Sequence, residues 1–120
     1  MHGLRRLRRC CGHDLLWTGD RENFEILCRL NYSEFKAAGV EEIVVSCPEC
    51  YQVLGRYMPE VIPEFDIKVT LLIDLLEREV KKGGISFKPF KRKATFQDPC
   101  RLVRGSEHAD APRSLLTMIP

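Results

Sequence analysis

Nothing among the 120 residues approaches the roughly 20 consecutive apolar positions that a membrane helix needs. Charge of one sign is also missing. The formal net charge is +2, so no bulk attraction to nucleic acid follows. No hydrophobic region opens the chain, which argues against secretion. There is no phosphate-binding glycine loop, no flavin or nicotinamide fingerprint and no Ser–His–Asp arrangement, so none of those chemistries is expected of this chain alone. What the chain does have is six cysteines in a mixed, charged sequence. That usage fits a cytoplasmic protein, where paired cysteines serve metal or redox chemistry more often than disulfides.

The organising stretch is Val40 to Tyr51. Ile43-Val44-Val45 reads as a short buried strand. Ser46 ends it, and Cys47 and Cys50 then bracket Pro48 and Glu49. Two sulfurs are thus delivered at the carboxyl end of a strand, where open α/β sheets place ligands. Pro48 suits the first position of a helix, whose positive end would favour thiolate over thiol. The second piece is Cys10-Cys11-Gly12. Vicinal cysteines rarely bond to each other, but each can serve a different metal of one polynuclear centre. Gly12 allows close backbone approach or a positive φ. His13 is a possible ligand, though a hydrogen-bonding neighbour is the blander role. Trp17 reads as packing over this loop.

In chain order, Met1 to Arg9 is a basic arm with four arginines, best read as a solvated terminus. Residues 10–120 form a single α/β domain. Residues 10–19 read as a loop. Asp20 caps a helix from Arg21 to Ala38 that Gly39 stops, with Phe24, Leu27, Cys28, Phe35 and Ala38 on one face. Asn31 shares that face, either as a buried amide satisfied by backbone or as a hydrogen bond toward the cysteine loops. Cys28 reads as a small buried hydrophobe. A short helix near Tyr51 to Met58 is broken by Pro59 and Pro63. Residues 66–70 suggest a second strand. Leu71 to Lys82 is an amphipathic helix with Leu72, Leu75, Leu76 and Val80 inward, ended by Gly83-Gly84. A basic linker covers residues 85–93. Ala94-Thr95-Phe96 reads as a third strand leading to Asp98-Pro99-Cys100, with Asp98 as the cap. A last helix begins near Asp110 or Pro112 and includes Leu115, Leu116 and Met118. This order predicts a small, largely parallel sheet flanked by helices, with cysteine loops at the strand carboxyl ends.

The spacing of Cys10, Cys11, Cys47 and Cys50 leaves three chemistries open. Structural zinc accepts Cys-x-x-Cys but ordinarily separates the ligands of its other pair as well. Iron–sulfur centres can take adjacent thiolates on different irons. A redox dithiol explains Cys47 and Cys50 and leaves the other pair idle.

Cys10-Cys11-Gly12, Val40 to Tyr51 and Phe96 to Leu102, with Ala111-Pro112-Arg113, resemble the cysteine-rich CCG domain. That domain occurs in the B-type and D-type subunits of heterodisulfide reductases and in lactate and glycolate oxidase iron–sulfur subunits. The resemblance implies that Cys10, Cys11, Cys47 and Cys50 bind a noncubane 4Fe–4S cluster as four ligands of one motif. It implies that Cys100 is the lone first cysteine of the next. It also implies an electron-transfer role in an oxidoreductase, partner subunits that supply electrons or missing ligands, and no catalysis by this chain alone. Gln97 departs from the histidine frequent there. The incomplete motifs suggest the middle of a longer two-motif protein. The alternative is a zinc-binding or metal-free interaction module that retains the fold.

Overall fold

The computed structural model describes residues 9–104, 108 and 110–120. The basic arm therefore lies outside the described residues, apart from Arg9, which pairs with Glu34 at 2.9 Å. The chain divides into two compact units, Met1–Val69 and Thr70–Pro120.

The first unit opens with α1 (His13–Thr18), where a loop was expected. Gly12 and Gly19 flank it, both with positive φ. The amides of Gly19 and Asp20 return to the carbonyls of Leu16 and Leu15, which closes so short a helix. α2 spans Arg21–Ala37, and the Asp20 carboxylate accepts from the Asn23 amide as the expected cap. At the other end Gly39 has φ 65°, and the Val40 amide bonds back to the Phe35 carbonyl at 3.0 Å. Phe24 and Cys28 are fully buried on the inner face, together with Asn31. They pack with Val53, Leu54, Met58, Val61 and Ile62 into the core.

β1 (Glu42–Val45) and β2 (Lys68–Leu71) form a two-stranded parallel sheet flanked by helices. β1 is less buried than its β-branched run suggested. Ile43 and Val45 pack toward the core, whereas Val44 is 45% exposed. The alternating exposure along the strand shows that only one face of β1 is covered.

α3 begins at Pro48, as the proline requires, and spans Pro48–Gln52. The helical run does not end at Pro59. The chain continues through a π-helical turn, Val53–Tyr57, into α4 (Met58–Val61). The Met58 amide reaches back to the Val53 carbonyl, so the ladder has already shifted register where Pro59 has no hydrogen to give. Pro63 lies beyond the helix end.

In the second unit, α5 (Leu72–Lys81) packs on α7 (Ala111–Thr117). Gly83 terminates α5 with φ 78°, as expected. Leu75, Leu76 and Val80 are half-buried, but Leu72 is 38% exposed and not inward. In α7 Leu115 is buried and Leu116 is 40% exposed. Ala94-Thr95-Phe96 is not a strand. The described residues contain only the two strands above, and three residues with no partner edge beside them gain no ladder. Nor does Asp98 cap the turn carrying Cys100. Its Oδ2 takes the Arg113 guanidinium at 2.5 Å, and α6 (Cys100–Val103) starts after Pro99 without a side-chain cap. No helix among the described residues is long and apolar enough to cross a membrane.

Candidate metal centre

The two cysteine segments meet in the first unit. Cys10 and Cys11 lead into α1, while Cys47 sits immediately before α3 and Cys50 in its first turn. All six cysteines of the chain are free thiols. Cys11 Sγ lies 3.3 Å from Cys50 Sγ, across 39 positions of sequence. Cys10 touches Cys11, and Cys47 touches Cys50. The four sulfurs therefore form a row, Cys10–Cys11–Cys50–Cys47.

Three features fix that row. The Gly12 backbone has φ 94°, and a Cβ there would sit 2.9 Å from Phe24 Cδ2. Glycine is needed both for the conformation and for the close packing of the loop on α2. The Gly12 amide also points at Cys10 Sγ, at 3.4 Å. From α2, Asn31 Nδ2 donates to the Cys10 carbonyl at 3.0 Å. Both expectations for Asn31 are thus met by one bond, because its partner is backbone and belongs to the cysteine loop.

Burial is the largest influence on the inner thiols. It raises Cys11, although the His13 amide donates to its sulfur and pulls the other way. It raises Cys50 further, and Cys11 and Cys47 beside it add to the effect. Burial and neighbouring sulfur thus work against the thiolate that the start of α3 favours at Cys50. A cation placed at the row reverses this balance, since metal binding displaces thiol protons.

Among the described residues no three His, Cys, Asp or Glu side chains gather as around a single ion. A row of four thiols containing an adjacent pair suits a polynuclear centre, whose metals take different sulfurs. Cys28 stands apart. It is fully buried, and burial pushes its thiol up to about 11. It is the small core residue expected of it. Cys100 is exposed at the start of α6, in the second unit.

His13, which spacing left between ligand and neighbour, sits beside the row. Its ring is largely buried, Nδ1 lies 3.2 Å from Asp14 Oδ1, and Nε2 is 3.7 Å from Glu49 Oε1. Trp17, half exposed, stands edge-on to Tyr57 at 6.4 Å and tilted to His13 at 6.0 Å, so its shielding is partial.

A parallel αβ unit that brings Cys10 and Cys11, ahead of its first strand, against Cys47 and Cys50, just past it, defines a cysteine-rich type of domain. Residues 1–55 match the CCG cysteine-rich domain, and the resemblance read from the cysteine spacing holds. Relatives align over most of the remaining chain too. An iron–sulfur protein of Methanocaldococcus jannaschii is 33% identical over 111 residues, which is 92% of this chain and 21% of that protein. The D-type subunit of the dihydromethanophenazine:CoB–CoM heterodisulfide reductase of Methanosarcina acetivorans is 28% identical over 92% of this chain and 28% of its own. The B-type subunit of the fumarate reductase (CoM/CoB) of Methanothermobacter marburgensis is 29% identical over 92% of this chain and 22% of its own. The chain thus spans between 21% and 28% of the length of these relatives. No solved structure matches.

Proposed function

We propose that the chain is an electron-transferring iron–sulfur unit of a heterodisulfide-reductase-like oxidoreductase. The observation that carries the proposal is the row of four free thiols, with Cys11 and Cys50 in contact at 3.3 Å. The names of its relatives, iron–sulfur proteins and oxidoreductase subunits, support the same reading. Cys10, Cys11, Cys47 and Cys50 hold the centre, a noncubane 4Fe–4S cluster, within one CCG-type domain of residues 10–120. A bound cluster supplies one-electron chemistry.

The protein's own contribution is positional. Asn31 fixes the Cys10 carbonyl, and Gly12 lets the loop lie against Phe24. Phe24 and Cys28 are fully buried in the core against which Cys11 packs. Cys100 belongs to a second cysteine motif. Electrons and remaining ligands come from partner subunits, and the setting is the cytoplasm.

The test is metal analysis with a visible spectrum on protein reconstituted anaerobically with iron and sulfide. The expected product is brown, with iron and sulfide in stoichiometric amounts and both lost in Cys11→Ser and Cys47→Ser. Stoichiometric zinc in the purified protein, or a colourless product without iron, would instead make the chain a structural module that keeps the fold without the redox chemistry.

A further inference from the structure

His13 Nε2 is shielded from solvent and has no hydrogen-bond partner. The other ring nitrogen settles the tautomer. Nδ1 lies 3.2 Å from Asp14 Oδ1, and an ionised carboxylate only accepts, so in the neutral ring the proton is on Nδ1. Nε2 then carries a lone pair. Facing it, 3.7 Å away, is Glu49 Oε1, which also offers only lone pairs. In that neutral ring two acceptors confront each other over a gap too long for a hydrogen bond, and a metal on Nε2 removes the conflict. Each hangs from one of the sulfur-bearing segments. His13 follows Cys10-Cys11-Gly12, and its amide already donates to Cys11 Sγ. Glu49 stands between Cys47 and Cys50.

We infer that His13 is a nitrogen ligand, through Nε2, of the metal centre held by Cys10, Cys11, Cys47 and Cys50, with Asp14 orienting the ring. This rests on the iron–sulfur reading above. A histidine that binds metal commonly donates its second ring N–H to a carboxylate, the relation His13 has with Asp14. Imidazole also changes the centre. Where histidine replaces thiolate on iron, the site carries less negative charge and its reduction potential rises.

The experiment uses the full chain, grown with 15N-histidine or at natural abundance and reconstituted with iron and sulfide. Pulsed EPR is recorded on the paramagnetic state. A strong, isotope-dependent nitrogen coupling is expected in the wild type and is expected to vanish in His13→Ala. Should His13→Ala not fold, the His2→Gln/His108→Gln double variant leaves His13 as the single labelled ring, and the coupling should persist there. Asp14, whose side chain is 91% exposed, can be changed without disturbing packing. Asp14→Asn is expected to weaken iron binding by about 10–100-fold. An iron centre without histidine coupling overturns the inference and leaves the iron–sulfur reading intact. That result would make His13 a hydrogen-bonding neighbour of the thiols and nothing more. Protein that takes up no iron overturns both.

Discussion

Asn31 is the buried polar residue among those described, and its side-chain amide donates to the Cys10 carbonyl. Replacing it with leucine keeps most of the volume and strands that carbonyl. Asn31→Leu should cost about 1–3 kcal/mol in urea denaturation and lower iron loading, because Cys10 loses its anchor. A loss of stability with full, spectrally unchanged iron would assign Asn31 to packing alone. Gly12 can be separated from an ordinary turn glycine in a similar way. Gly12 and Gly19 both have positive φ, but a Cβ at Gly19 meets nothing within 4 Å, whereas one at Gly12 meets Phe24. Both alanine variants carry backbone strain of order 1 kcal/mol. Gly12→Ala should destabilise more than Gly19→Ala and should alone reduce iron content. Much of this is legible at single residues. The sulfurs, Gly12, Cys28 and the direction of Asn31 follow from residue type and spacing. The sequestration of His13 does not, because a ring between two carboxylates is set by how α1 and α3 pack, which no local pattern encodes.

Legibility at the scale of elements follows the caps. α2 can be read to within a residue because Asp20 and Gly39 mark its ends with specific bonds. The same holds for the start of α3 at Pro48 and the end of α5 at Gly83. Expectation fails where the outcome depends on a partner. Ala94-Thr95-Phe96 has strand-like composition and no strand to join. Pro59 breaks a regular helix but follows a π turn without ending the helical run. One tie between elements is testable through pH. The Lys36 ammonium bonds Asp66 Oδ2 at 2.6 Å, and with the Tyr32 hydroxyl it holds the Asp66 carboxyl below its ordinary value. The folded pKa is lowered, so the contribution is present above the unfolded value near 3.8 and disappears as pH falls through the folded one. The stability gap between wild type and Asp66→Asn should therefore be constant from neutrality to about pH 4 and close below it. The pair is exposed, so the gap is small. A gap that widens on acidification would contradict the assignment.

At the scale of the whole molecule, the division between units assigns the cysteines differently. Cys10, Cys11, Cys47 and Cys50 lie in Met1–Val69, and Cys100 lies in Thr70–Pro120. Cys100→Ser is expected to retain the iron of the first site while Cys11→Ser loses it. Equal loss in both would contradict that assignment. The Cys11–Cys50 contact has a further consequence, for the stability of the fold. Its partners are 39 positions apart, and the intervening loop contains α1, α2 and β1. A centre that bridges them binds the folded chain, where the two ends of that loop meet, and not the unfolded one, so its binding free energy adds to the stability of the fold. The loaded protein should melt well above the chelator-treated one, with the gain abolished in Cys50→Ser. Metal occupancy in such a chain is then also a tie between distant segments, and losing the centre loosens three elements at once.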